Sequence, residues 1–215
     1  MSAPRLGPRL DARRRFDALV RGKEGFDVLE ACLLAAAEEY PALDVAAEAA
    51  RVDAMGREAL RRVETLGNVF ARIDGLRALL FEDLGFRGNA DQYDDPRNSF
   101  LNEVLNRRVG IPVTLSVLYV EVARRARLVA RSVALPGHFV VRVGDETRTV
   151  LVDPFHGGDV ITEEDCRDLT ARTTGRASLF WRDMLEGTSD ATILVRLLHN
   201  LKRIYLARED YPRAH

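Results

Sequence analysis

LPGHFVVRVGDETRTVLVDPFHGG, residues 135–158, is the stretch from which the fold is read. HFVVRV and RTVLVDPF are rich in valine and bounded by turn residues, as strands are, and GDET between them suits a hairpin turn. An earlier run, VARSVALP, adds a third strand. A symmetric hairpin centred on the Asp145–Glu146 bond pairs Val143 with Arg148 and Val141 with Val150. It then sets His138 directly across from Asp153, on the same face of the sheet. Opposed residues have Cβ atoms roughly 4.5–5.5 Å apart, within reach of an imidazole–carboxylate hydrogen bond. Such a carboxylate fixes one tautomer, aims the other ring nitrogen and stabilises the imidazolium when His138 takes a proton. The same pair also reads as a buried polar residue satisfied by its neighbour, and a one-residue bulge would break the alignment.

Upstream the pattern is helical. PVTLSVLYVEVARRARL opens with Pro112 in the first turn and is apolar through Val120, which predicts a buried central helix with its arginines gathered at the negative end of the dipole. Before it, SFLNEVLNRR predicts a short helix capped by Asn98 or Ser99 and ended by Gly110. Between Phe26 and Phe86 lie three further helical runs, the last of them NVFARIDGLRALLFEDLGF with one apolar face through Val69, Ile73, Leu76, Leu79, Leu80 and Leu84. Beyond Thr162 the chain returns to helix and loop, closing with a helix over 191–208. The expected fold is α+β: a helical N-terminal half, a central buried helix packed on a small antiparallel sheet, and a C-terminal helix. The expected divisions are a flexible basic arm over 1–25, a helical region over 26–88, a core over 89–187 and a closing helix over 188–215.

Composition bounds the function. The chain has 215 residues, of which 47% are hydrophobic and 30% charged, enough to bury a proper core. The formal net charge is −1, so no global field draws the protein to nucleic acid or anionic lipid, and partner choice is local. Two cysteines in dissimilar contexts, Cys32 and Cys166, form neither a disulfide framework nor a metal-ligand spacing and point to a reducing cytoplasm. The apolar run VLEACLLAAA carries Glu30, so neither a leader nor a membrane span is expected.

The stretches LLFEDLGFRGN, YDDPRNSFLNEVLNRRVGIPVTLSVLYVEVARR, LPGHFVVRV and VDPFHGG together resemble the transglutaminase-like, papain-related superfamily, and within it the bacterial SirB-type proteins, which often carry tetratricopeptide repeats at the carboxyl end. The resemblance implies a Cys–His–Asp triad with the cysteine at the amino end of the central helix, His138 as base and Asp153 as its orienter. That amino end here reads Gly110-Ile111-Pro112-Val113-Thr114-Leu115-Ser116 and has no cysteine. Thr114 is the nearest hydroxyl, followed by Ser116. A helix-capping role for Thr114 is the alternative to a nucleophilic one. Around the pair, Asn98, Gly110, Pro112, Ser116, Gly137 and His156 are the expected binding residues. His138, Asp153 and His156 are metal-binding types, but their spacing is no recognised metal motif, and neither a metal nor another cofactor is expected.

Three functions follow. A scaffold without its thiol implies a non-catalytic module that binds a protein or peptide, or regulates one. A His138–Asp153 pair that activates a hydroxyl or water implies a hydrolase or acyl transferase and requires an open cleft. LVRLLHNLKRIYLAREDYPRAH, similar to the first helix of a tetratricopeptide repeat, implies an adaptor and requires an exposed apolar stripe over residues 194–205.

Overall fold

The computed structural model describes residues 8–21 and 25–214. In chain order the helices and strands are α1 (Pro8–Val20), α2 (Val28–Glu39), α3 (Val45–Val63), α4 (Val69–Arg77), β1 (Arg87–Gly88), α5 (Leu101–Arg107), β2 (Val109–Gly110), α6 (Pro112–Arg125), β3 (Val129–Leu135), β4 (His138–Gly144), β5 (Thr149–Asp153), β6 (Asp159–Ile161), α7 (Glu163–Thr174), α8 (Asp190–Ala207) and α9 (Tyr211–Ala214). The chain is therefore α+β, as its sequence predicts.

The core is built around α6, every residue of which from Pro112 to Ala123 is buried. One side of α6 meets α2 and α3; another meets the inward residues of the sheet, Phe139, Val141, Val143 and Val152. The sheet is antiparallel in the order β3-β4-β5-β6. Its opposite face, through Val133, Leu135 and Val140, covers a smaller core with Cys166 and Leu169 of α7 and with Phe180 and Leu185. Strand alternation thus sends alternate side chains into two separate cores, which is why these strands read as valine-rich on both faces. Glu121, buried inside α6, is held by Arg125, which also reaches Asp53 of α3.

Four local expectations are corrected. Part of the basic arm, over residues 8–20, is helical: Ala12, Phe16 and Leu19 recur at helical spacing among the arginines and pack on the core, while Arg13 and Arg15 reach Glu38 and Glu30. Residues 1–7 and 22–24 of that expected arm lie outside the described residues. The third helical run changes from α to π winding at Ala78–Asp83, which leaves Leu84 only half-buried. Asn98 and Ser99 do not cap α5; they belong to a 3-10 turn, Pro96–Ser99, and Phe100 precedes the helix. Arg108, in the left-handed conformation, ends α5 two residues before Gly110.

The hairpin register also differs. Val141 pairs with Val152, Val143 with Val150 and Gly144 with Thr149. This is a slip of two residues from the expected pairing, and its cause is the turn. Asp145 Oδ1 accepts from Thr147 N–H at 2.9 Å and Arg148 N–H at 2.8 Å, and Asp145 N–H donates to the Arg148 carbonyl at 2.9 Å. Four residues are thereby drawn into the loop. The Gly144 backbone passes so close to Arg148 that an added Cβ would lie 2.0 Å from its carbonyl oxygen.

The closing helix α8 is docked. Leu194, Leu197, Leu201, Ile204 and Tyr205 are buried, and Arg203 and Arg208 bond Asp94 in the loop before α5. Among the described residues, no helix is long and apolar enough to cross a membrane.

Candidate functional site

Pro136 and Gly137 form a two-residue turn that joins β3 to β4, with Gly137 at φ +77°. An L side chain at Gly137 would be strained and would meet Thr173 of α7 at 2.5 Å, so glycine lets α7 close over the turn. His138 begins the next strand immediately after it. Asp153 ends β5 and starts a 3-10 turn, Pro154–His156: its Oδ1 accepts from the N–H groups of Phe155 at 3.0 Å and His156 at 3.4 Å. The carboxylate is thus fixed by backbone on one oxygen, and Oδ2 is left for side chains.

Both imidazoles converge on that oxygen. His138 Nε2 lies 2.9 Å from Asp153 Oδ2, and His156 Nδ1 lies 2.8 Å from the same atom. In the observed register His138 and Asp153 are diagonal rather than opposed, a separation an imidazole can span. A slip of two preserves the face. His138 and Asp153 are 4% and 1% exposed, whereas the His156 side chain is 57% exposed. The two imidazole rings stack with centroids 5.7 Å apart, and Phe155 places its ring edge-on to both. Tyr93 closes the aromatic group against Phe155 at 6.2 Å.

Burial opposes ionisation of Asp153, but the hydrogen bonds and charges of His138 and then His156 outweigh it and hold the carboxyl below its usual range. It is an acceptor for two imidazoles.

A cleft of about 760 Å³ reaches this group; Pro112, Gly137, His138, Asp153 and His156 all line it. The remaining expected residues do not. Thr114 is wholly buried; its Oγ1 accepts from Ile111 N–H at 3.1 Å and donates to the Asn98 carbonyl at 2.9 Å. Thr114 is a capping residue of α6, and its placement as a nucleophile is corrected: the hydroxyl is spent on backbone, and Thr114 does not line the cleft. Ser116 is equally buried. Gly110 packs against Thr114 and Val104. Asn98 supports the loop that carries Tyr93: its Nδ2 donates to the carbonyls of Gln92 and Tyr93, and its Oδ1 accepts from Asn89. Asn98, Gly110 and Thr114 thus shape the entry of α6 without lining the cleft.

Sequence reasoning passed over Tyr93, Asp159, Asp165, Arg172 and Thr173, which also line the cleft. Tyr93 sits in a quoted motif, YDDPRN, and so carried a signal. Arg172 and Thr173 carried none, because a helix following a sheet brings its last turn to the site only through tertiary packing.

A model of the transglutaminase-like superfamily matches residues 46–199. A UPF0162 protein of Xylella fastidiosa is 34% identical over 194 residues, covering 89% of this chain and 69% of that protein. A UPF0162 protein of Pseudomonas aeruginosa is 33% identical over 180 residues, 84% of this chain and 65% of its own length. Mouse F-box only protein 21 is 33% identical over 105 residues, which is 45% of this chain and 17% of that protein. No solved structure matches the chain. The match across α3 to α8, together with the relatives that share most of its length, makes this chain a member of the transglutaminase-like superfamily and of the UPF0162 family within it.

Proposed function

We propose that this protein is a transglutaminase-like binding module, and that its cleft grips a segment of a protein or peptide beside His138 without forming a thioester. The observation that carries this reading is Pro112, which stands in the cleft wall at the amino end of α6, where the superfamily resemblance expects the cysteine. Cys32 and Cys166 are free and buried, Cys32 in the main core and Cys166 in the smaller core under α7, and neither lines the cleft, which also suits a reducing cytoplasm. The aromatic rings of Tyr93 and Phe155 offer apolar contact, and Arg172, Asp159 and Asp165 offer charge, the mixture that peptide recognition uses.

The adaptor reading through a tetratricopeptide-like end, taken from the SirB-type resemblance, has less support. Leu194, Leu197, Leu201, Ile204 and Tyr205 are turned into the body, which leaves Val195 and Leu198 as the exposed apolar residues between 194 and 205. A water-using hydrolase keeps one argument, since the cleft reaches His138 and its Nδ1 has no protein partner among the described residues.

Selection of peptides from a displayed library, followed by titration against the purified chain, tests the proposal. Selected peptides should lose at least tenfold in affinity to Arg172→Glu, and the native protein should show no amine incorporation into glutamine peptides. Turnover of an ester or amide substrate that survives Cys32→Ser and Cys166→Ser but disappears in His138→Ala would replace the binding reading with the hydrolytic one.

A further inference from the structure

We propose that His138, Asp153 and His156 bind a divalent first-row transition ion, with zinc the first candidate, in the floor of the cleft. The inference rests on the geometry of the three side chains, independently of what the cleft grips. One ligand atom from each lies within 4.8 Å of the other two, the span that a single ion can bridge. Two imidazoles and one carboxylate are donors that suit zinc and its neighbours.

Each donor is prepared differently. Asp153 has one oxygen pinned by two backbone N–H groups, so Oδ2 alone faces the histidines and would ligate through that atom. His138 is held by its strand and by the edge contact with Phe155. His156 is half exposed on a short turn followed by Gly157 in the left-handed conformation, and is the ligand free to adjust. Zinc binds imidazole nitrogen and carboxylate oxygen at about 2.0–2.2 Å in a tetrahedron, which separates ligand atoms by roughly 3.3 Å. The observed 2.8 and 2.9 Å gaps must therefore open by roughly 0.4–0.5 Å: a small rotation of His156 opens the first, and the second needs a like tilt of the His138 ring within its strand position.

Protons balance without an outside acceptor. With the carboxylate ionised and both rings neutral, His138 carries its proton on Nε2 and His156 on Nδ1, each donating to Asp153. On binding the ion, each ring shifts to its other tautomer, so that His138 Nε2 and His156 Nδ1 present lone pairs while Nδ1 and Nε2 carry the hydrogens. The ion then places a full positive charge directly on a carboxylate only 1% exposed. Three protein ligands leave a tetrahedral ion one position, and the cleft is the side on which the group is open.

The full chain, stripped with a chelator and dialysed, is titrated with zinc chloride by calorimetry and with cobalt chloride by visible absorption. The expected result is one equivalent of zinc, a cobalt spectrum of four-coordinate intensity, and a zinc-dependent rise in Tm. His156→Ala should weaken zinc by at least the roughly 10–100-fold that loss of a mere supporting partner costs, and remove the Tm rise. His156 is exposed, so this variant folds; His199→Ala, on α8, serves as control and should bind as the parent does. No zinc uptake by the folded parent, uptake unchanged in His156→Ala, or equal loss in His199→Ala overturns the proposal. Loss of peptide binding with zinc uptake intact would strike the binding reading and leave this one standing.

Discussion

At the scale of single residues, the chemistry follows from which polar groups are already satisfied. Thr114 has the right residue type and the right position, yet its hydroxyl both accepts from Ile111 and donates to Asn98, leaving nothing to activate. The two thiols are disarmed by another route. Burial, reinforced by nearby acids, pushes Cys32 and Cys166 from 9.0 up to about 12, so neither is a thiolate near neutral pH. Between pH 9.0 and about 12 the unfolded thiols lose protons that the folded ones keep, so stability falls as pH rises through that window. The fall should approach about 1.4 kcal/mol per pH unit for each thiol. Urea unfolding at pH 8.5, 9.5 and 10.5 should show it, with a shallower decline in the Cys32→Ala, Cys166→Ala double variant. Equal slopes in the two proteins would contradict the assignment.

At the scale of elements, α8 separates two readings of one apolar sequence. Leu197 is 1% exposed and Leu198 is 38% exposed, although they are neighbours of the same type. A docked helix predicts that Leu197→Ala costs about 2–5 kcal/mol, while Leu198→Ala changes stability by less than about 1 kcal/mol. Similar losses at both positions would mean that the helix is not seated as described. The hairpin teaches a related lesson. Its alternation, read from HFVVRV and RTVLVDPF, placed His138 and Asp153 on one face, and that holds because a two-residue slip conserves parity. The pairing itself is shifted by two residues, because Asp145 caps two backbone N–H groups and enlarges the loop. Side-chain capping in a turn competes with ladder hydrogen bonds, and periodicity alone carries no record of which wins.

At the scale of the whole molecule, one continuous core joins Ala12 of α1 to Tyr205 of α8 by way of α6 and the inner sheet face. The segments into which the sequence divides therefore share their burial, and unfolding is expected to be one cooperative transition in urea, with coincident far-ultraviolet and near-ultraviolet circular dichroism curves. Separated midpoints would show that the helical half and the sheet fold as independent units. The sequence by itself determined the kinds of element, their order, the burial of the central helix and the common face of His138 and Asp153. Each of these follows from local period and propensity, which are properties of neighbouring residues. Only the tertiary structure decided that His156 joins Asp153, that Thr114 turns inward, that Tyr93 and Arg172 border the cleft and that α8 docks on the body. Those outcomes depend on how turns of unlike geometry bring distant segments together, and on which hydrogen-bond partner each polar group finds when water is excluded.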